Sequence, residues 1–144
     1  MLDVLMTSAV RRVQEPGCHL DHGGKLITFV GPNAAEFIKA LVPEPEWHVL
    51  ISPRLRGRRM AEQLRGVWIA EIQDLEGVTR ELITRTHDAG VPRQCVMVGT
   101  AQEMPMRRLG LLNCVQLGNA NLDALRRDLT QLWAEATHRV AQPA

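Results

Sequence analysis

Lysine is nearly missing from this chain of 144 residues: of its 17 basic side chains only Lys25 and Lys39 are lysine, and the rest are arginine. Chemistry that demands a lysine at one fixed place must use one of those two. Cysteine is scarce as well. Cys18, Cys95 and Cys114 are odd in number and widely spaced, which excludes a disulfide framework or a pair of metal knuckles and leaves buried thiols as the expectation. Charge of one sign is not in excess, the net charge being +1, so no whole-protein field draws the chain to nucleic acid and any such binding needs a local patch. Charged residues also recur too often to leave the roughly eighteen apolar residues of a membrane span. Met1 to Val13 holds Asp3 among its apolar residues and places Arg11 and Arg12 after them, the reverse of a secretory signal's order, so a cytosolic location is expected.

What is present is the apolar content, 45% in 16.1 kDa, of one ordinary globular domain spanning residues 1–144. Leu2 to Val13 carries its apolar residues at helical spacings and is stopped by Glu15-Pro16-Gly17. Leu26 to Val30 is a short run of β-formers ending at Gly31-Pro32, which reads as a buried strand, and a helix over Ala34 to Leu41 follows. Pro43 to Gly57 reads as loop with one extended piece near His48 to Ile51, and Met60 to Leu64 as a turn or two of helix. Val67 to Ala70 is a second buried strand whose continuation carries acids at its carboxyl end. A helix is expected over Val78 to His87, a third strand over Cys95 to Val98, a weaker fourth over Asn113 to Leu117. A long final helix follows, capped by Asn121 or Asp123, with Leu122, Leu125, Leu129, Leu132, Trp133, Ala136 and Val140 as its stripe. Strands that are apolar runs and alternate with helices predict an α/β fold, a small, mostly parallel sheet of about four strands with helices on its faces.

Several groups of residues carry chemical potential, each with a plainer reading beside it. Gly31-Pro32-Asn33 between a strand and a helix is the setting of a phosphate-binding loop. Such a loop needs further glycines and a Lys-Ser or Lys-Thr pair, whereas Gly31 is followed by Pro-Asn-Ala-Ala-Glu-Phe-Ile-Lys. Lys39 falls a full turn or more into the helix, and Glu36 repels a phosphate at its first turn. Glu71 and Asp74 are placed like the Mg²⁺-holding and water-activating acids of an ATPase, although two carboxylates after a strand also arise by chance. Arg107-Arg108 is either an arginine finger or a surface pair. Cys18, His19, Asp21 and His22 are metal-ligand types, but no second ligand pair accompanies them and no metal is expected. His48, His87 and His138 stand alone and read as surface or helix-end residues. Arg54, Arg56, Arg58, Arg59 and Arg65 form the densest positive stretch, suited to phosphates or an acidic protein surface, with a solvated face as the alternative. No aromatic residue is interleaved with them, so stacking on single-stranded bases is not indicated.

Taken in order, the pieces resemble the virulence-associated protein E family, phage and plasmid primase-helicase ATPases related to superfamily 3 helicases. The resemblance rests on Ser8-Ala9-Val10 with Glu15-Pro16-Gly17-Cys18 and Asp21, on Ala61 through Ile72, on Pro92 through Thr100, on Arg107-Arg108, and on Asp123 through Ala136. It implies a P-loop NTPase-like domain. The departures fall in the working parts: the lysine and hydroxyl of the family's phosphate loop are missing, and only Ala89-Gly90-Val91 stands where the family has an arginine- and proline-rich loop. Gln102 stands at a sensor position where the family has asparagine.

The expectation is therefore a non-catalytic interaction protein of a phage or other mobile element on a reduced ATPase fold. It would use no cofactor and no metal and would modulate or inhibit a replication or host-defence complex, with the Arg54 to Arg65 stretch and the Arg107-Arg108 pair as candidate contact surfaces. Two alternatives stand beside it. In one, a residual ATPase subunit of an oligomer uses ATP and Mg²⁺, with Glu71 holding the metal, Asp74 orienting water and Arg108 acting on a neighbour's nucleotide. In the other, arginines alone bind nucleic acid.

Overall fold

A computed structural model describes residues 2–14, 25–54, 57–83, 96–105, 109–118 and 121–142. The elements in chain order are α1 (Leu2–Gln14), β1 (Leu26–Val30), α2 (Ala34–Leu41), β2 (His48–Leu50), α3 (Gly57–Leu64), β3 (Ile69–Ile72), β4 (Val96–Ala101), β5 (Leu112–Gln116) and α4 (Leu122–Ala141). The strands form one parallel sheet in the order β2-β3-β4-β1-β5. It has five strands where the sequence indicates about four. The addition is β2, drawn from the extended piece of the proline-containing stretch and only three residues long. So short a strand is weakly marked in sequence, and it pairs with β3, where His48 lies opposite Ile69 and Leu50 opposite Glu71.

The three central strands β1, β3 and β4 are buried on both faces, which is why they read as runs of apolar residues with little polar alternation, while the edge strands β2 and β5 are only partly buried. On one face Ile27, Phe29, Ile69, Val96 and Val98 pack against α1, α2 and α4 through Leu5, Met6, Ala9, Phe37, Ile38, Leu41, Leu125, Trp133 and Ala136. On the other, Leu26, Ala70, Ile72, Met97 and Leu112 pack against α3 and the segment that follows β3, through Met60, Leu64, Leu75, Val78, Leu82 and Ile83. Side chains along a strand point alternately to opposite faces. Glu71 therefore shares the face of Ile69, beneath α1, α2 and α4, while Ala70 and Ile72 face the other way.

Several boundaries move from their sequence positions for local reasons. β3 begins at Ile69, two residues later than expected, because the Val67 N–H closes the turn after α3 onto the Leu64 carbonyl and Trp68 bonds Trp47. β4 runs on through Gly99 to Ala101. A Cβ at Gly99 would stand 2.8 Å from Thr28 Oγ1 and 2.9 Å from Leu75 Cδ2, so glycine keeps the strand continuous where a side chain would collide. The helix expected over Val78 to His87 is capped at Thr79, whose Oγ1 accepts from the Leu82 N–H, and is helical over residues 80–83; its remainder lies outside the described residues. Asn121, one of the two expected caps of α4, accepts from the Ala124 N–H at 3.0 Å. Cys114, expected as a buried thiol, is half-buried on β5, where desolvation raises its pKa; Cys18 and Cys95 lie outside the described residues.

The three tryptophans join the helical layer to the edge of the sheet. Trp47 stacks on Trp68 with centroids 4.5 Å apart, and Trp68 meets the edge of Trp133 at 5.2 Å. Trp133 Nε1 donates to the Leu41 carbonyl at 2.7 Å. That carbonyl belongs to the last turn of α2, whose oxygens have no partner within the helix, so the bond satisfies a buried acceptor and fixes α4 against α2.

Candidate functional site

Parallel α/β sheets place their ligands beyond the carboxyl ends of the strands. A cleft of about 240 Å³ lies there in this protein, lined by Gly31, Pro32, Ala34, Ala35 and Glu36 after β1, Gln73 after β3, and Thr100, Ala101 and Gln102 at the end of β4. The strand–turn–helix that reads as a phosphate-loop setting thus does form one wall of a cleft, and Gln102, the residue at the sensor position, forms part of another.

The turn before α2 lacks several of the groups a phosphate loop uses. Gly31 N–H is spent on the Ala101 carbonyl at 2.9 Å, Pro32 has no N–H, and Ala34 N–H closes the turn onto the Gly31 carbonyl at 3.3 Å. A Cβ on Gly31 would stand 2.8 Å from the Gly118 carbonyl, so this glycine serves the close approach of two chain segments behind the cleft. Glu36 is exposed in the first turn of α2, where its charge meets the positive end of the helix. Lys39 is exposed in the last turn of α2, and Lys25 precedes β1 at the opposite end of the sheet. No cationic residue lines the cleft among the described residues.

Beneath the cleft floor lies Glu71, with no solvent exposure. Its Oε1 accepts from His48 Nε2 at 2.7 Å, and its Oε2 accepts from Gln73 Nε2 at 3.0 Å and from Thr100 Oγ1 at 2.5 Å. An ionised carboxylate only accepts hydrogen bonds, so the His48 Nε2 carries the hydrogen. Burial pushes the Glu71 pKa up. The hydrogen bonds from His48, Thr100 and Gln73, with the charge of His48 added, outweigh burial and hold the carboxyl below its ordinary range. The network spans three strands, since His48 is on β2, Glu71 on β3 and Thr100 on β4, and Gln73 and Thr100 also line the cleft.

His48 therefore corrects its reading as a lone surface histidine: its side chain is only 10% exposed and holds the edge strand to a buried acid. The pairing is across 23 residues and appears only once the strand register is known. The sequence does hold one signal for it. A carboxylate inside the four-residue apolar strand Ile69–Ile72 must find donors, and a histidine in the neighbouring extended piece is a candidate. Asp74 is exposed before the single 3₁₀ turn Leu75–Gly77 and is not among the cleft's lining residues. Arg54, Arg58, Arg59 and Arg65 are all exposed, Arg58 and Arg59 on α3. Arg56, Arg107 and Arg108 lie outside the described residues, as do Cys18, His19, Asp21 and His22. No group of metal-ligating side chains occurs among the described residues.

The lowered Glu71 pKa fixes the sign of a pH effect. A carboxylate whose folded pKa is depressed contributes its stability above the unfolded value, about 4.3, and loses it as pH falls through the folded value. Glu71→Gln places an amide nitrogen among three donors and is expected to cost about 2–3 kcal/mol at neutral pH. It should also make stability decline less steeply between roughly pH 5 and pH 3. Urea unfolding of both proteins across that range is the check, and parallel declines would contradict the assignment.

Comparison with known proteins bears on the same segments. The virulence-associated protein E-like domain matches residues 1–89, which take in α1 through β3 with the cleft's β1–α2 wall, Glu71, Gln73 and Asp74. The match ends at the start of Ala89-Gly90-Val91, and the resembling stretches from Pro92 onward lie beyond it. No curated protein gives a significant match. No described helix is long and apolar enough to cross a membrane. With 89 of its 144 residues matched, the chain belongs to the virulence-associated protein E-like domain family.

Proposed function

We propose that this chain is a non-catalytic binding protein associated with phage or plasmid replication, built on the ATPase fold of its family and acting on a protein complex of replication or host defence. Family membership ties it to phage and plasmid replication. The observation that carries the rest is the state of the cleft. Its loop has spent or lacks the N–H groups of Gly31, Pro32 and Ala34, Glu36 is the one charged residue among its described lining, and Glu71 is buried with both oxygens accepting from His48, Gln73 and Thr100. Phosphoryl transfer is catalysed almost wholly by positioning and charge stabilisation, so losing these groups removes the means of catalysis while leaving the core unaffected. The packing on both faces of the sheet supports selection for a folded binding surface.

The exposed arginines of α3 and its flanks are the surface we assign to the partner. Arg58 and Arg59 project from a helix whose buried side, Met60 and Leu64, is anchored in the core, so the backbone that carries them is held in place while their charges face water. Exposed guanidinium groups suit bidentate contacts to an acidic protein surface.

Titration calorimetry with Mg-ATP on the full chain is expected to give no binding heat at millimolar nucleotide, and saturable tight binding would overturn the non-catalytic reading in favour of an ATPase subunit. The double charge reversal Arg58→Glu with Arg59→Glu is expected to reduce crosslinked capture of partner from infected host lysate, with folding checked by near-ultraviolet dichroism of the tryptophan cluster. Undiminished capture would remove this surface from the account.

A further inference from the structure

We propose that the outer edge of β2 is a docking surface for a second copy of this chain, the two edges pairing antiparallel about a two-fold axis at Leu50. Such self-pairing is independent of the binding role proposed above. It follows from the backbone groups that the edge leaves open and from the charges at its two ends.

Successive residues of a strand aim their N–H and C=O groups at opposite edges. Trp47 gives its carbonyl to Trp68 and Ile51 gives its N–H to Glu71, so the odd-numbered residues of this segment bond β3. His48, Leu50 and Ser52 therefore turn their backbone groups away from the sheet, toward an edge with no described strand beyond it. The His48 N–H is already spent on the Pro45 carbonyl. The His48 carbonyl, both groups of Leu50 and the Ser52 N–H have no backbone partner among the described residues. Leu50 is also the one large apolar side chain exposed among the described residues. An edge left open in this way is a template for another strand.

The open groups decide the register. In an antiparallel pair, residues directly opposite can exchange both of their N–H···O bonds. Centred on Leu50, the pairing joins the two copies of Leu50 by both bonds, and each Ser52 N–H reaches the partner's His48 carbonyl, so every donor used is one the chain leaves open. Centred on Val49, the same edge would call on the His48 N–H, which is spent. The Leu50 register sets Leu50 against its own copy on one face of the joined sheet. It also brings Arg54, exposed just past the end of one edge, beside the partner's Glu46, exposed just before the start of the other. Neither residue forms an ion pair with a described residue of its own chain. The two-fold axis makes this contact twice, so the order of charges along the edge is complementary to itself, which is what commits the edge to a second copy. Pro45 and Pro53 have no N–H and keep the paired stretch short, so the dimer belongs with small, transient interfaces.

Sedimentation velocity of the full chain from roughly 10 µM to 1 mM is expected to show a reversible monomer–dimer equilibrium. Leu50→Pro removes the outward N–H while leaving the bonds to β3 in place, and Leu50→Lys puts a charge on the axis. Each should abolish the dimer with the tryptophan dichroism unchanged. Glu46→Arg and Arg54→Glu should each weaken self-association by about ten-fold, since two exposed contacts turn repulsive together. Mixing those two variants restores opposite charges at both contacts, so the mixture should dimerise as the natural chain does. A chain that stays monomeric at the highest concentration would overturn the proposal and leave the edge to a strand of another protein. So would a dimer retained by either folded Leu50 variant, or a mixture that associates no better than its components.

Discussion

A carboxylate cannot be buried in an apolar sheet without enough donors to offset its lost hydration, and Glu71 has three, one each from β2, β4 and the residue that follows β3. Much of the molecule's organisation follows from meeting that demand. The three-residue strand β2 has few apolar contacts of its own and exposes Leu50 by 53%, so the His48–Glu71 bond adds a side-chain tie to its backbone pairing with β3. On the other side, Thr100 and Gln73 turn their hydrogens inward, which sets the character of the cleft above them. One buried charge thus acts both on the edge of the sheet and on the site at its end.

The cleft occupies the place where a phosphate loop would work, and its contents differ in kind. Gly31 stands where a cradle glycine would, yet its lack of a side chain is explained by the Gly118 carbonyl behind it. Glu36 meets the positive helix end that would otherwise attract an anion. The sheet, the two apolar layers and the stacked tryptophans form a packed frame around these differences, which supports the proposed binding role.

Those parts of the fold that declare themselves in sequence are the ones whose burial is continuous. β1 is a run of five buried residues between a lysine and Gly31-Pro32, α2 lies between a turn and a proline, and α4 carries a stripe that ends at a cap residue of the right type. β2 is less legible because it is only three residues long and is tied in by pairing with β3 and by a histidine bond that no local pattern contains. The ends of β3 and β4 shift because backbone bonds from Val67 and Trp68, and the collision space at Gly99, are tertiary facts. For the site, Glu71 is visible as an acid at a strand end, but its role depends on register: only opposite β2 and β4 do His48 and Thr100 come within reach. That Gly31 and Ala34 spend their N–H groups within the chain is less visible still, since it is decided by tertiary and turn hydrogen bonds.

Glu71, ionised, inward-facing and satisfied by protein donors, is the group on which the edge strand and the cleft both depend. The most direct measurement is a pH titration of its side-chain carboxyl carbon by NMR, in the presence and absence of Mg-ATP. Glu71 should titrate below an ordinary glutamate and keep the same shift and midpoint when Mg-ATP is added. A midpoint at or above the ordinary value, or a resonance that moves on adding Mg-ATP, would contradict it.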